Sequence, residues 1–424
     1  MKVLLMTLGS RGDAEPFLTL GSLLLQSGHD VALIAPEQFR AVGEQVGVRF
    51  HAFPAAFLEL LDNQQGRDFM GGRGNRLAQV RNLVSLARQS MKLQREIIGI
   101  QQAVVLQEQP DRVVYHPKCL VGTVWGMAHR GRARLLCPLP LIQHPVSYAT
   151  TVGPMGHADY GGFINRRSFT VVNTVKAYIT LRAARRFRSH YSPTRYSLHS
   201  IYRFMLHEQR TLYTISPTLF ERPIEWPETA YIVGYHERDK TTHWQPDSIL
   251  LDFAARHSNI LLITFGSMPN NDPEGKSRAI VEVLRRRGIP AIINCSWGGL
   301  QRVESAPDHI LFVDSIPYDW AFERVYAVVH HGGSGTTHTA MRYGCATSIV
   351  PHIADQYYWS ERIAELGVGP KGVPIKKFDE ETFDKLINEL LADPGYKRAA
   401  EDIAERTAQE GNVERYLRLV LEKG

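Results

Sequence analysis

The stretch "VVHHGGSGTTHTAMRYGCATSIVPHIADQYYWSERIAELGVG", residues 328–369, decides how the chain is read. An apolar run ends at His330-His331. Gly332, Gly333, Ser334 and Gly335 follow, helical spacing sets in near Thr336 and lasts to about residue 343, and "ATSIVP" (346–351) is apolar again. Strand, glycine turn, helix and strand with short connections make one unit of a parallel sheet. Glycines let a ligand approach the backbone, and a helix N-terminus offers N–H groups and the positive end of the helix dipole, which suits phosphate. Ser334, Thr336 and Thr337 add hydroxyls, and His330 adds one further donor. A glycine turn starting a helix with no ligand fits the same residues.

The pattern extends outward in both directions. Before the stretch lie "NILLITFGS" (259–267), a helix over 276–287, "PAIINC" (290–295) and "HILFVD" (309–314); after it a helical region runs from about 378 to 423. In the first half, "VLLMT" (3–7), "VALIA" (31–35), "VRFHAF" (48–53), "DRVVYH" (111–116), "ARLLCP" (133–138), "TLYTIS" (211–216) and "AYIVGY" (230–235) are strand-like, with a helix over 17–27. Residues 58–108 show a glycine-rich loop and a long helical stretch, and 146–210 are irregular and helical. The expected division is a first Rossmann-like domain (1–236), a polar linker (237–256), a second Rossmann-like domain (257–400) and a terminal helix (401–424) returning to pack on the first. The fold class is α/β with two parallel sheets. Ligands of such sheets lie outside the carboxyl ends of the strands, so two facing domains of this kind make a cleft.

Composition narrows the function. The net charge of +6 over 424 residues is a mild basic bias, and with no binding motif it excludes nucleic acid as the expected partner. The four cysteines (Cys119, Cys137, Cys295, Cys345) lack zinc or redox spacing. No apolar run approaches about 18 residues, so no membrane span is expected and the location is cytoplasmic. Residues 160–207 are rich in arginine and aromatic residues, without an acid between Asp159 and Glu208. They read as helices with solvated basic faces, or as a transient contact with a membrane surface.

Other segments add chemistry at strand ends. Gly266-Ser267 form a second glycine turn, and Trp297 in "NCSWGG" is placed to stack on a base or to pack. Asp355 and Gln356 put an acid beside an amide, a pairing that can read vicinal hydroxyls. "LGSRGDAEPF" (8–17) places one carboxylate, Asp13, in the turn after the first strand. Asp13 is either a cap of a helix starting around Glu15-Pro16 or a base. Glu15 is the rival carboxylate, and Arg11 would hold Asp13 or meet phosphate. His116 in "VVYHP" and His144 in "LIQHPVSY" end later segments, as packed histidines or site residues.

Together, "GSRGDAEP", "SIPYDWAF" (315–322) and "HHGGSGTT…P…DQ…W" resemble the signatures of family 1 glycosyltransferases with the GT-B fold, in particular the sterol glucosyltransferase and glycopeptide-antibiotic glycosyltransferase group. The resemblance covers both ends and the whole second half. It fades over 55–110 and 150–210, the regions expected to shape an acceptor pocket.

The resemblance implies roles at matching positions. His330, Ser334, Gly335 and Thr336 would bind the donor diphosphate, with Gly266 and Ser267 meeting it from the other side and Ser10 adding a contact across the cleft. The backbone at Ile316 would pair with uracil. Ser315 stands where many relatives keep a tryptophan, which leaves base stacking to Trp297. Asp355 and Gln356 would hold the sugar hydroxyls. Asp13 occupies the place of the histidine base of plant relatives, His116 would assist it, and His144 would touch the acceptor. The implied activity is transfer of a hexose, glucose first, from a UDP-sugar to a hydroxyl of an apolar acceptor, a sterol, steroid or triterpenoid first. Direct displacement on an α-linked donor gives a β-glycoside. The UDP-sugar is a co-substrate; no cofactor and no metal are expected. A polyketide, peptide or flavonoid scaffold is the alternative acceptor, and a nucleotide-sugar epimerase the alternative enzyme.

Overall fold

The computed structural model describes residues 1–54, 93, 95–148, 159–186, 196–241, 244–266, 268, 270, 272–296 and 298–423. They fall into two compact units, one built on the first half of the chain together with Glu410–Gly424, the other holding Asp239–Gln409.

The first unit carries a seven-stranded parallel sheet of β1 (Lys2–Met6), β2 (Asp30–Pro36), β3 (Arg49–Phe53), β4 (Arg112–Tyr115), β5 (Ala133–Cys137), β6 (Arg210–Tyr213) and β7 (Ala230–Ile232). The order is β3-β2-β1-β4-β5-β6-β7. Val3 pairs in register with Val31 on one side and Arg112 on the other. β1 therefore sits where the strand order reverses, and the turns leaving β1 and β4 open side by side at the switch point. The central strand β1 reads as a continuous apolar run after Lys2 because both faces of the sheet are covered there: Val3, Leu4, Leu5 and Met6 are wholly buried.

The second unit repeats the plan with β8 (Leu261–Thr264), β9 (Ala291–Asn294), β10 (Ile310–Val313), β11 (Ala327–His330) and β12 (Ala346–Ile349), in the order β10-β9-β8-β11-β12. His330 pairs with Thr264 across the β8/β11 boundary, so the two glycine turns leave adjacent strand ends at this switch point.

One expectation is corrected, and two other segments gain detail. The helix after β1 spans Arg11–Gln26 and starts well before Pro16, which lies inside it. Ser10 takes the extended N-cap conformation, and the Asp13 carboxylate reaches back to accept its N–H at 2.9 Å, which sets the start. The expected linker is partly helical: Ser248–Arg256 is capped by Asp247, which accepts the Leu250 N–H at 2.8 Å, and it buries Leu250 and Phe253. The terminal helical region is three helices, Glu380–Ala392, Pro394–Ala408 and Val413–Leu421.

The last of these belongs to the first unit. Tyr416, Leu419 and Val420 are buried in the cluster that holds Val3, Leu5, Phe17 and Leu33. Its carbonyl end, where a helix leaves acceptors unpaired, is met by arginines from three neighbouring strands. Arg134 Nε donates to Leu419 O at 2.8 Å, Arg210 Nη1 reaches the same oxygen at 3.5 Å, and Arg112 donates to Leu421 O.

Candidate functional site

The turn after β1 and the turn after β4 bring Asp13, His116 and Lys118 together. Asp13 Oδ1 lies 3.0 Å from His116 Nε2, and Oδ2 lies 3.0 Å from Lys118 Nζ and 2.9 Å from the Ser10 N–H. The approach to Nε2 is close but off the line of a hydrogen bond, so it is an electrostatic contact. His116 is fully buried, and the Asp13 side chain is 12% exposed.

His116 Nδ1 accepts the Lys118 N–H at 3.2 Å, so the ring proton sits on Nε2, facing the carboxylate. Burial lowers the imidazole pKa, and the nearby Asp13 only partly offsets this, which keeps the ring neutral. Burial alone would raise the Asp13 pKa, but the Lys118 ammonium and then His116 outweigh it, and the carboxyl is held well below the ordinary aspartate range. Asp13 is thus an ionised carboxylate beside a neutral imidazole N–H and a cation.

Other candidates in the first unit fall elsewhere. Glu15 is paired with Arg11 at 3.0 Å and with Arg238 at 2.9 Å, so Arg11 serves Glu15 and not Asp13. Ser10 presents its N–H to Asp13, with its hydroxyl 3.4 Å from the same oxygen. His144 is buried with both ring nitrogens engaged, Nδ1 with the Tyr213 hydroxyl at 2.8 Å and Nε2 with Leu206 O at 3.1 Å.

In the second unit, His330 ends β11 fully buried. Its Nδ1 accepts the Gly332 N–H at 2.9 Å, which puts the ring proton on Nε2, and Nε2 is buried without a hydrogen-bond partner. Burial brings its pKa down to about 3, so the ring is a neutral donor. An unsatisfied buried polar atom is costly, and a ligand oxygen would satisfy it. The helix Ser334–Arg342 follows; its N-cap is Gly333, which has no side chain to close the first turn, and Ser334 and Thr336 lie in that turn.

His331 organises the two glycine turns. A Cβ on Gly266 (φ +59°) would sit 2.7 Å from its ring, and one on Gly333 would sit 2.5 Å from Nε2, so only glycine lets both backbones close on the imidazole. Thr264 Oγ1 accepts the Gly266 N–H at 3.2 Å and bonds the Tyr318 hydroxyl at 3.0 Å, which ties the segment holding buried Ile316 and exposed Ser315 to the end of β8. Gln356 is buried, and its Oε1 accepts the N–H groups of His352 at 2.7 Å and Ile353 at 3.1 Å, so this oxygen serves its own loop. Asp355 opens the next helix behind Ala354, whose φ of +51° is rare for a residue with a side chain. Ser267 and Trp297 lie outside the described residues.

The sequence reading missed Lys118 and the packing role of His331. Only a basic residue two positions beyond His116 hinted at the first, and the doubled histidine at the second.

Against known proteins, residues 3–108 match the glycosyltransferase family 28 N-terminal domain, and residues 290–414 match the erythromycin biosynthesis protein CIII-like, C-terminal domain. The sterol 3-beta-glucosyltransferase UGT80B1 of Arabidopsis thaliana is 27% identical over 97% of this chain and 66% of its own length. The O-mycaminosyltylonolide 6-deoxyallosyltransferase of Streptomyces fradiae is 27% identical over 98% of this chain and 95% of its own. The chain spans 66% and 64% of the length of two Arabidopsis sterol enzymes and smaller shares of the yeast ones, such as 26% for that of Debaryomyces hansenii. Among solved structures, the calicheamicin glycosyltransferase CalG4 aligns with a TM-score of 0.68 at 17% identity, covering 98% of this chain and 96% of that one. The spinosyn rhamnosyltransferase SpnG complexed with thymidine diphosphate aligns at 0.64 and 20%, covering both chains fully (100% each). These structural likenesses show a shared fold.

Proposed function

The chain belongs to the glycosyltransferases of GT-B fold, a family of transferase enzymes, and from that premise we propose that it moves a hexose, glucose first, from a UDP-sugar to a hydroxyl of an apolar acceptor. A sterol, steroid or triterpenoid comes first, in line with the sterol 3-beta-glucosyltransferases that cover 97% of the chain. The observation that carries the reading is the Asp13–His116 pair. His116 has its Nδ1 lone pair occupied by the Lys118 N–H and its Nε2–H turned toward Asp13, so it has no lone pair for a substrate proton. Asp13 is ionised and has carboxylate lone pairs to receive one.

In this reading the acceptor oxygen attacks the anomeric carbon as the bond from that carbon to the diphosphate breaks. The hydroxyl proton passes to Asp13 late, as the new bond acidifies it, because an aspartate with a depressed pKa is a weak base. His116 steadies the carboxylate through its Nε2–H. In the second unit, His330 Nε2–H and the positive end of helix Ser334–Arg342 are the groups suited to charge developing on a leaving diphosphate. Attack opposite the leaving group inverts the anomeric centre.

A polyketide, peptide or flavonoid scaffold is the second acceptor reading, in line with the likeness to the O-mycaminosyltylonolide 6-deoxyallosyltransferase of Streptomyces fradiae at 27% identity over 98% of this chain. Transient membrane contact belongs with an apolar acceptor. Helix Gly162–Arg186 exposes Ile164, Val171, Val175 and Tyr178 along one stripe with Arg167 and Arg182, and no described helix is long and apolar enough to cross a membrane.

A donor-by-acceptor screen read by mass spectrometry tests the proposal, with Asp13→Asn alongside. The expected result is a glucoside from UDP-glucose and a hydroxylated apolar acceptor, with Asn at position 13 cutting turnover by about 100-fold or more while UDP binding is kept. Near-full turnover in that variant would remove Asp13 as the base.

A further inference from the structure

Lys118 lies 105 positions after Asp13 in sequence, yet it contacts both members of the pair. Its ammonium is 3.0 Å from Asp13 Oδ2, and its backbone N–H donates to His116 Nδ1 at 3.2 Å. The chain makes room for the ion pair: Gly9 (φ +142°) has no Cβ where one would lie 2.0 Å from Asp13 Oδ2 and 2.8 Å from Lys118 Nζ. Asp13 is mostly buried, while Lys118 is 46% exposed, so the cation reaches in from solvent to a carboxylate whose other neighbours are the Ser10 N–H and His116.

The geometry points to Lys118 as a positioning residue for the proton transfer assigned above to Asp13. Its side chain holds Oδ2 and keeps the base charged, and its main chain fixes the His116 tautomer that faces Oδ1. The tautomer does not depend on the side chain, so substitution at 118 isolates the first effect. Without the ammonium, Asp13 keeps the Ser10 N–H and the neutral imidazole, but the burial that disfavours its charge is no longer offset by a full cation. Its pKa then rises. The inference rests on Asp13 being the base, and the test separates the two.

The full-length protein is labelled with 13C at the aspartate carboxyls and titrated by NMR, with the resonance lost in Asp13→Asn serving as the assignment. The titration is followed over the pH range in which melts show the protein folded: the wild-type carbon keeps its ionised shift to the acid edge of that range, in Lys118→Met it moves toward the protonated shift within it, and Lys118→Arg restores the wild-type trace. Over that range kcat/KM for glucose transfer from UDP-glucose to a sterol hydroxyl gains an acid limb in Lys118→Met that follows the carbon's titration and is absent from the wild type and from Lys118→Arg. An unmoved titration overturns the inference, and so does a titration that moves while no acid limb appears. The NMR arm needs no substrate. If Asp13→Asn retains turnover, the base assignment falls by itself, while the titration still decides whether Lys118 governs the carboxylate. Lys118 is about half exposed and outside every core cluster, so both variants are expected to fold, which thermal melts check.

Discussion

Gly9 and Asp13 are fitted to each other: a Cβ on Gly9 would lie 2.0 Å from Asp13 Oδ2, and the glycine's φ is +142°. Gly9→Ala therefore meets both a steric and a backbone penalty at the one place where the carboxylate, the Ser10 N–H and the Lys118 ammonium converge. The carboxylate must swing out. Transfer activity is expected to fall by about 100-fold, since a misplaced catalytic group costs about that much. UDP affinity, measured by calorimetry, should fall far less than turnover, because of the diphosphate contacts expected for this chain only Ser10 adjoins Gly9.

His330 offers a separate test. Its Nε2 is a buried donor without a partner at the end of β11, and a hydrogen bond to a charged group is worth about 1.5–3 kcal/mol. His330→Ala should weaken UDP binding by about 10- to 100-fold with the fold intact. His330→Asn keeps a donor and should recover part of the loss. If UDP affinity is unchanged in both, the diphosphate does not meet this ring.

How much of this was legible from residue order differs by feature. The central strands stand out because parallel strands covered on both faces are unbroken apolar runs, as in Val3–Met6 and Ala327–Val329. The glycine turn at 332–335 was legible because it lies within one local segment. The helix start was misread because Pro16 suggested a first helical turn, whereas Asp13 capping Ser10 sets it earlier. Lys118 was not legible: its ion pair spans 105 positions and depends on the side-by-side placement of β1 and β4. Apolar spacing in Val413–Leu421 marks a helix with one buried face, but neither the unit it packs on nor the arginines from β4, β5 and β6 that receive it.

Buried histidines predict how stability depends on pH. In the second unit burial lowers the pKa of His330 to about 3 and of His338 and His352 to about 4, and holds His331 well below its ordinary value. Between about pH 6.5 and 4 the unfolded chain binds protons at these sites that the folded chain does not. Stability is therefore full above about 6.5 and is lost as pH falls, on the order of 1 kcal/mol per pH unit for each such histidine. Thermal melts from pH 7.5 to 4.5 should show Tm dropping steadily on the acid side. His338→Gln should flatten the slope. Asp13 adds stability of the same sign only at lower pH, because its folded pKa lies below the unfolded one and its contribution is lost as the carboxyl protonates.

The arginines under the last helix give a prediction about which part of the chain detaches first. Arg134 is almost wholly buried, and its pKa is brought down to about 9 by burial and by the neighbouring Arg112 and Arg210. Such a cation is tolerated because the carbonyls at the end of helix Val413–Leu421 accept from it, with Leu419 O at 2.8 Å. Arg134→Met removes the charge, takes the Arg134 hydrogen bond from Glu422 O and leaves Leu419 O with the longer Arg210 contact at 3.5 Å. Two effects oppose each other: relief of repulsion among three arginines, and the loss of the Arg134 hydrogen bonds at a helix end where Arg112 and Arg210 still donate. A buried acceptor left unsatisfied costs about 1–3 kcal/mol, and here more than one carbonyl is involved, so the loss wins. The variant should be less stable by about 2 kcal/mol overall. Hydrogen exchange should localise the change: amides of 413–421 should lose protection while those of β8–β12 keep it. Uniform loss across both units would show that the helix is not a separately held element. Greater stability in the variant would show that repulsion among the arginines outweighs the carbonyl contacts.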